Sequence, residues 1–186
     1  MQRKPFNTAF ITGRRQLGLT LIESLMAVAI TSAATGVVLP GFKQAMERRH
    51  IDGAAAQMRT DVQLARSLAV AQNRTLRISF KTGVYGSCYV VHSGGANDCS
   101  CSAAGVPACG NGAEALRSVH FEAASPVQLR SNVASMVLDP TKGTVSPTGT
   151  LRVTGQADRA VHVVVNVMGR MRMCTPNNGL PGYAAC

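Results

Sequence analysis

The sequence predicts an α+β chain in which a long N-terminal helix packs on a C-terminal antiparallel β-sheet domain held by disulfides. Three features predict it: an apolar run over residues 19–42, a helically spaced apolar stripe over 43–73, and short β-prone runs with six cysteines over 74–186. At 186 residues and 46% apolar composition there is material for one core plus an appended element. A charged fraction of only 15%, with Gly 18, Pro 8 and no Trp, suits a turn-rich β domain better than a helical bundle.

Residues 1–18 are polar and carry Arg3, Lys4, Arg14 and Arg15 without an acid. They contain no apolar core and no A-x-A site, which excludes an ordinary secretory signal. The pair Arg14-Arg15 admits a twin-arginine reading. Against it stand the carboxylate inside the following run and that run's direct continuation into an amphipathic helix. Residues 19–42, "LTLIESLMAVAITSAATGVVLPGF", are long enough to cross a bilayer as a helix, for which about 20 residues suffice. The basic residues before it place that end in the cytoplasm and the rest of the chain across the membrane. Gly36 and Pro40 are expected to weaken or kink the helix locally. Glu23 is the only charge between Arg15 and Lys43. An acid near the middle of a membrane helix costs about 2.5–3.5 kcal/mol on insertion scales, and such residues are usually paired and functional.

From Lys43 to Asn73 the apolar residues Ile51, Ala55, Met58, Val62, Ala65, Leu68 and Ala69 recur at spacings of three and four. The other face carries Glu47, Arg48, Arg49, Asp52, Arg59, Asp61 and Arg66, so this is an amphipathic helix laid on something apolar. Continuous from Leu19, it would run about 55 residues and roughly 80 Å at 1.5 Å per residue. A domain of this size cannot bury such a helix, so its first half needs lipid or other chains. Beyond Asn73, "TLRISF", "SCYVVHS", "SVHFEA", "SMVLD", "GTVS", "TLRVTG", "AVHVVVNV" and "GRMRMC" are separated by Gly, Pro, Asn and Ser. They read as antiparallel strands in one or two sheets on the helix stripe, with a polar face to water.

Cys88, Cys99, Cys101, Cys109, Cys174 and Cys186 contain no C-x-x-C pair, and an even count beyond a membrane segment implies an oxidising compartment. Cys174 and Cys186 bracket "TPNNGLPGYAA" and read as a pair. The other four staple the loop between Cys88 and Cys109 in an unassigned pairing, with metal binding as the alternative. His50, His92, His120 and His162 show no ligand spacing and no nucleophile partner, so neither catalysis nor a cofactor nor a small-molecule substrate is expected. The net charge of +10 favours anionic partners such as nucleic acid or acidic lipid head groups.

A basic leader, the stretch "GLTLIE", an apolar helix, an amphipathic helix and a disulfide-bearing β domain together resemble the type IV pilin superfamily. The resemblance implies a type IV pilin-like fold and a prepilin peptidase that cuts after Gly18 and methylates the new amine of Leu19, where phenylalanine is commoner. Glu23 then occupies the fifth mature position. The implied role of its carboxylate is to neutralise the Leu19 α-amine of an adjacent subunit as a filament assembles. The helix segment "MRTDVQLARSLAVAQNRTLRIS" resembles that of the GspH/FimT minor pilins and pseudopilins, with Leu64, Ala65, Arg66, Ala69 and Arg74 as anchors. "VNVMGRMRMC" resembles their late G-R-x-R element through Gly169, Arg170, Met171 and Arg172.

In FimT-like minor pilins that element is associated with DNA capture in natural transformation, which implies duplex DNA as a partner. Arg170 and Arg172, two apart on a strand, would project from one face and grip successive phosphates. Arg152, Arg159 and Lys142 would extend the patch, and Tyr183 is the nearest aromatic for stacking. Such binding is non-specific and salt-sensitive. The bland alternative for Arg170 and Arg172 is a solvated strand face or a subunit contact. The leading expectation is a single-pass inner-membrane subunit with a periplasmic C-terminal domain, exposed on a pilus after assembly, whose partners are prepilin peptidase, other pilins and minor pilins. Its rivals are a minor pilin that primes assembly without DNA, a minor pseudopilin of type II secretion, and a membrane-anchored periplasmic enzyme. Replacing Gly18 by Ala is expected to impair leader removal. A mature product of normal mass from that variant would count against the cleavage assignment.

Overall fold

A computed structural model describes residues 18, 20–102, 105–156, 159–176 and 179–186, and the chain divides into two compact units, Met1–Gly41 and Phe42–Cys186. One helix, α1 (Leu21–Ala71), contributes to both. Within the first unit Thr20 caps it: the Thr20 Oγ1 accepts from the Glu23 N–H at 3.4 Å, and Glu23 sits in the first turn, where a carboxylate complements the helix dipole. The hydroxyls of Thr31, Ser32 and Thr35 donate back to carbonyls three or four residues earlier, so these polar groups are satisfied without water. Leu21, Ile22, Leu25, Met26, Val28 and Ile30 are all more than half exposed. Helical backbone continues through Gly36 and Pro40, the positions expected to weaken or kink it. Among the described residues no helix is long and apolar enough to cross a membrane. Leu19 and the side chains of 36–40, which the expected span includes, lie outside the described residues.

The second unit is built on the remainder of α1. Ile51, Ala55, Met58, Val62, Ala65 and Ala69 are buried as the stripe predicts, and Leu68 is partly so. The helix stops in a Schellman motif: Arg74 N–H donates to Ala69 C=O at 3.0 Å, Asn73 N–H to Val70 C=O at 3.2 Å, and Asn73 takes the left-handed conformation at φ 47°. Asn tolerates that conformation better than most side chains.

The strands are β1 (Leu76–Gly83), β2 (Gly86–Ser93), β3 (Cys99–Cys101), β4 (Pro107–Cys109), β5 (Ala115–Glu122), β6 (Gln128–Ser131), β7 (Ser135–Leu138), β8 (Val145–Ser146), β9 (Gly149–Thr154), β10 (Ala160–Val165), β11 (Met171–Thr175) and β12 (Ala184–Ala185). They form one sheet in the order β5-β2-β1-β7-β8, a second in the order β12-β11-β10-β9-β6, and the small β3-β4 ribbon. Every pairing is antiparallel except β11 with β12, which is parallel and departs from the all-antiparallel expectation. β3, β4, β6 and β12 were not anticipated, because none is longer than four residues and "QLRS" has one apolar side chain.

One hydrophobic cluster joins the helix stripe to both sheets, through Leu76, Ile78, Tyr89 and Leu138 of the first and Leu151, Val153, Val161 and Val163 of the second. Ser87 stitches the sheets: its buried hydroxyl accepts from Leu129 N–H at 2.8 Å and donates to Gln128 Oε1 at 3.2 Å. Disulfides join Cys88 to Cys101 and Cys99 to Cys109, and a third joins Cys174 to Cys186.

Asp61 corrects the helix reading. Placed on the polar face by its spacing, it is 3% exposed and accepts a 2.5 Å hydrogen bond from the Tyr89 hydroxyl, with Arg117 at 3.2 Å. Burial first, and the Asp61 carboxylate second, push the Tyr89 phenol far above its ordinary range. The C-terminal tail docks on the helix in a similar way, with the Tyr183 hydroxyl donating to Asp52 at 2.8 Å. There burial and then the Asp52 contact raise the phenol to about 12.

Tyr89→Phe leaves the buried Asp61 short of a donor and is expected to cost about 1–3 kcal/mol in denaturant unfolding. At Tyr183 the expectation concerns pH. A raised phenol stabilises the fold fully below its ordinary value near 10 and loses that contribution as pH climbs towards about 12. The stability gap between wild type and Tyr183→Phe should therefore narrow between pH 10 and pH 12; a gap that stays constant would contradict the Tyr183–Asp52 contact.

Candidate nucleic-acid interface

The second sheet turns its alternate residues to opposite sides, as a strand must. Leu151, Val153, Val161, Val163 and Val165 face the core, and Thr150, Arg152, His162 and Val164 face away. The register pairs Val164 with Arg172, His162 with Arg152, and Arg152 with Arg130, so all three arginines stand on the outward face. None of β6, β9, β10 or β11 contains an acid, while Arg130, Arg152, His162 and Arg172 give them four basic side chains.

Arg170 lies one residue before β11. Asn166 N–H donates to Arg170 C=O at 3.1 Å, and Arg170 N–H returns to Asn166 Oδ1 at 2.9 Å, closing a hairpin whose turn is Val167, Met168 and Gly169. Gly169 sits at φ +69°, the left-handed position that a three-residue hairpin turn assigns to glycine. The G-R-x-R element is thus half turn and half strand: Gly169 makes the turn and Arg170 closes it. Met171 packs on the core and Arg172 faces outward. Arg170 and Arg172 are both exposed, as are Val167 and Met168 at the tip.

Arg66 organises this end of the domain. Expected on the polar face of the helix, it is only partly exposed, and its Nε donates to Gly143 C=O at 2.7 Å. A Cβ at Gly143 would lie 3.3 Å from its guanidinium, and one at Gly169 would lie 2.9 Å from its Cδ. The helix arginine therefore runs between two glycine turns, joining the helix anchor to the G-R-x-R element. Gly143 also has positive φ, at +61°. The loop before it is fixed by Asp139, which accepts from Thr141 N–H and Lys142 N–H, each at 2.9 Å, and from the Thr141 hydroxyl at 2.7 Å. Those hydrogen bonds hold the Asp139 carboxyl below its usual range. Lys142 and Arg170, each next to a glycine that touches Arg66, are brought to the same end of the domain, with Lys142 exposed.

Other expected contributors are engaged elsewhere. Arg159 pairs with Glu47 of the helix, both largely buried, so it does not extend the patch. Tyr183 spends its hydroxyl on Asp52 and is half-buried, which removes it as a free stacking ring. Arg152 is on the outward face but partly buried, and on β9 it is separated from the β11 Arg172 by the intervening β10. Arg130 was missed, since only the β6–β9 register reveals it. Arg74 bonds to Glu114 at 3.5 Å on the surface. No described cysteine is free, so the metal alternative for Cys88, Cys99, Cys101 and Cys109 has no thiolate to use; His162, Cys174 and Cys186 cluster, but their two sulfurs are bridged. Gly18 is described and exposed, Leu19 lies outside the described residues, and Glu23 is exposed on the first turn of α1.

Residues 54–169 match the family described as "Type II transport protein GspH". Among solved structures, the type IV minor pilin FimU of Pseudomonas aeruginosa aligns at a TM-score of 0.52 and 19% identity over 72% of this chain and 98% of its own. The minor pseudopilin EpsH from the type 2 secretion system of Vibrio cholerae aligns at a TM-score of 0.48 and 11% identity over 69% of this chain and 99% of its own. No curated protein matches by sequence. The family match spans more than half of the chain and includes both the Arg66 helix anchor and Gly169, while the FimU likeness independently shows the fold. The chain belongs to the GspH family and has an α+β, type IV pilin-like fold.

Proposed function

We propose that this subunit is a type IV minor pilin that binds duplex DNA non-specifically for uptake in natural transformation. Exposed Arg170 and Arg172 on the acid-free β10–β11 hairpin, with exposed Lys142 at the same end of the domain, carry the reading. Two exposed guanidinium forks at a hairpin end, with a lysine at the same end of the domain, suit contacts to phosphate oxygens, which carry no sequence information. The tip residues Val167 and Met168 are exposed, which keeps that end of the hairpin open to a ligand.

The proposal extends to the N-terminal end. Prepilin peptidase removes the leader after Gly18 and methylates Leu19, and Glu23 of one subunit neutralises the Leu19 amine of the next. The exposed apolar side chains of α1 from Leu21 to Ile30 support inner-membrane anchoring before assembly and burial among other pilins afterwards, since contiguous apolar surface of this kind calls for a partner. A minor pseudopilin of type II secretion is the second reading, favoured by the family description itself.

For the oxidised chain in detergent micelles, the logarithm of duplex affinity should fall linearly with the logarithm of salt concentration. Arg170→Ala with Arg172→Ala should weaken binding and reduce that slope by about 1 for each phosphate no longer neutralised. Wild type without salt-dependent binding would refute DNA capture by the subunit. Arg66→Ala removes the bond to Gly143 and is expected to cost about 1–3 kcal/mol of stability. It should also weaken DNA binding by releasing the turns that hold Lys142 and Arg170.

A further inference from the structure

Away from the hairpin tip, the outward face holds a second basic feature. Arg130 on β6 is the register partner of Arg152 on β9, which is in turn the register partner of His162 on β10. Like charges placed directly opposite one another on neighbouring strands destabilise a sheet, and here two arginines adjoin an imidazole. Arg152 is partly buried and makes contacts of its own. Arg130 is exposed, and its side chain makes no hydrogen bond or ion pair with the described residues. Burial, and then Arg152, hold the His162 imidazole below its ordinary range, so the row already discourages further positive charge.

The row borders a cavity of about 270 Å³ lined by Arg130, Ser131, Asn132, Thr150, Arg152 and His162. That is just under the range of about 300–1,000 Å³ typical of organic-ligand pockets. Its lining has no carboxylate to hold a cation. Thr150 N–H already donates to Asn132 Oδ1 at 2.8 Å, and Asn132 N–H donates to Thr150 C=O at 3.2 Å, so the backbone there is satisfied and side chains must supply the binding. The His162 Nε2 is buried without a hydrogen-bond partner among the described residues.

We propose that the Arg130–Arg152–His162 row binds a single tetrahedral phosphate group. The guanidinium of Arg130 supplies a planar pair of N–H donors, Arg152 supplies a second charge one strand away, and His162 closes the row. The phosphate is either free inorganic phosphate or one phosphodiester of a nucleic acid. The site uses different residues from the hairpin tip and does not depend on the DNA reading.

The test is a titration of the full chain, oxidised and in neutral detergent micelles, with inorganic phosphate at constant ionic strength, followed by NMR of the arginine Nε–H groups and the His162 ring. Saturable shifts at Arg130, Arg152 and His162 are expected. Arg130→Gln, made at an exposed side chain, should weaken binding about tenfold or more, because a charge-assisted hydrogen bond is removed. Arg130→Lys, which keeps the charge but not the fork, should fall between them, and Arg170→Ala with Arg172→Ala should bind phosphate as wild type does. Shifts that do not saturate, or wild-type affinity in Arg130→Gln, overturn the proposal. In a second arm, duplex DNA that displaces phosphate identifies the phosphodiester as the source, and duplex that does not displace it identifies free phosphate; either supports the site. Absence of phosphate binding alongside DNA binding that depends on Arg170 and Arg172 would remove this row and leave the hairpin reading intact.

Discussion

A helix that buries Ile51, Ala55, Met58, Val62, Ala65 and Ala69 on one side needs a cover wider than a single small sheet. Three of those six are alanines, so the backbone of α1 comes close to whatever lies on it, and strands from both sheets share the stripe in one cluster. Each well-buried large apolar side chain contributes on the order of 1.5–3 kcal/mol. Several polar side chains caught in this closure have partners: Asp61 has Tyr89, Glu47 has Arg159, and Ser87 has Leu129 and Gln128. Removing one partner of such a set costs more than the bond itself contributes, because the other is left desolvated.

The same closure determines where positive charge reaches the surface. Arg66 leaves the helix beside the stripe, and its aliphatic stem and guanidinium occupy the space that side chains at positions 143 and 169 would need. Glycine at both positions is thus demanded twice, by positive φ and by the approach of the arginine. The exposed G-R-x-R element is then positioned from below by a residue of α1 that lies far earlier in the chain. Packing and charge display are one problem at this end of the molecule.

The legible parts of the sequence were those governed by periodicity. The stripe over 43–73 and eight of the strand runs emerge from spacing alone, and the leader, Glu23 and the G-R-x-R element emerge from resemblance. What spacing could not convey was pairing across the chain. Asp61 and Arg159 look like solvated charges until Tyr89 and Glu47 are brought against them, and Arg130 looks like an incidental residue of "QLRS" until β6 is registered on β9. β12 has two residues and no pattern to detect. The T-x-x-E arrangement of Thr20 and Glu23 is readable as a helix cap, a simple role that the anomaly of a carboxylate in an apolar run obscures.

The tail after Cys174 has a consequence for how such a subunit can associate. Tied by its disulfide and by Tyr183 on Asp52, it lays Ala184 and Ala185 along β11 as a final, parallel strand. Without it, β11 would present an open row of backbone donors and acceptors next to exposed arginines, a template for any passing extended chain. Two alanines are enough to satisfy the Cys174–Thr175 end of that edge and too few to nucleate further pairing. Edge-to-edge pairing of copies through this end of β11 is thereby disfavoured.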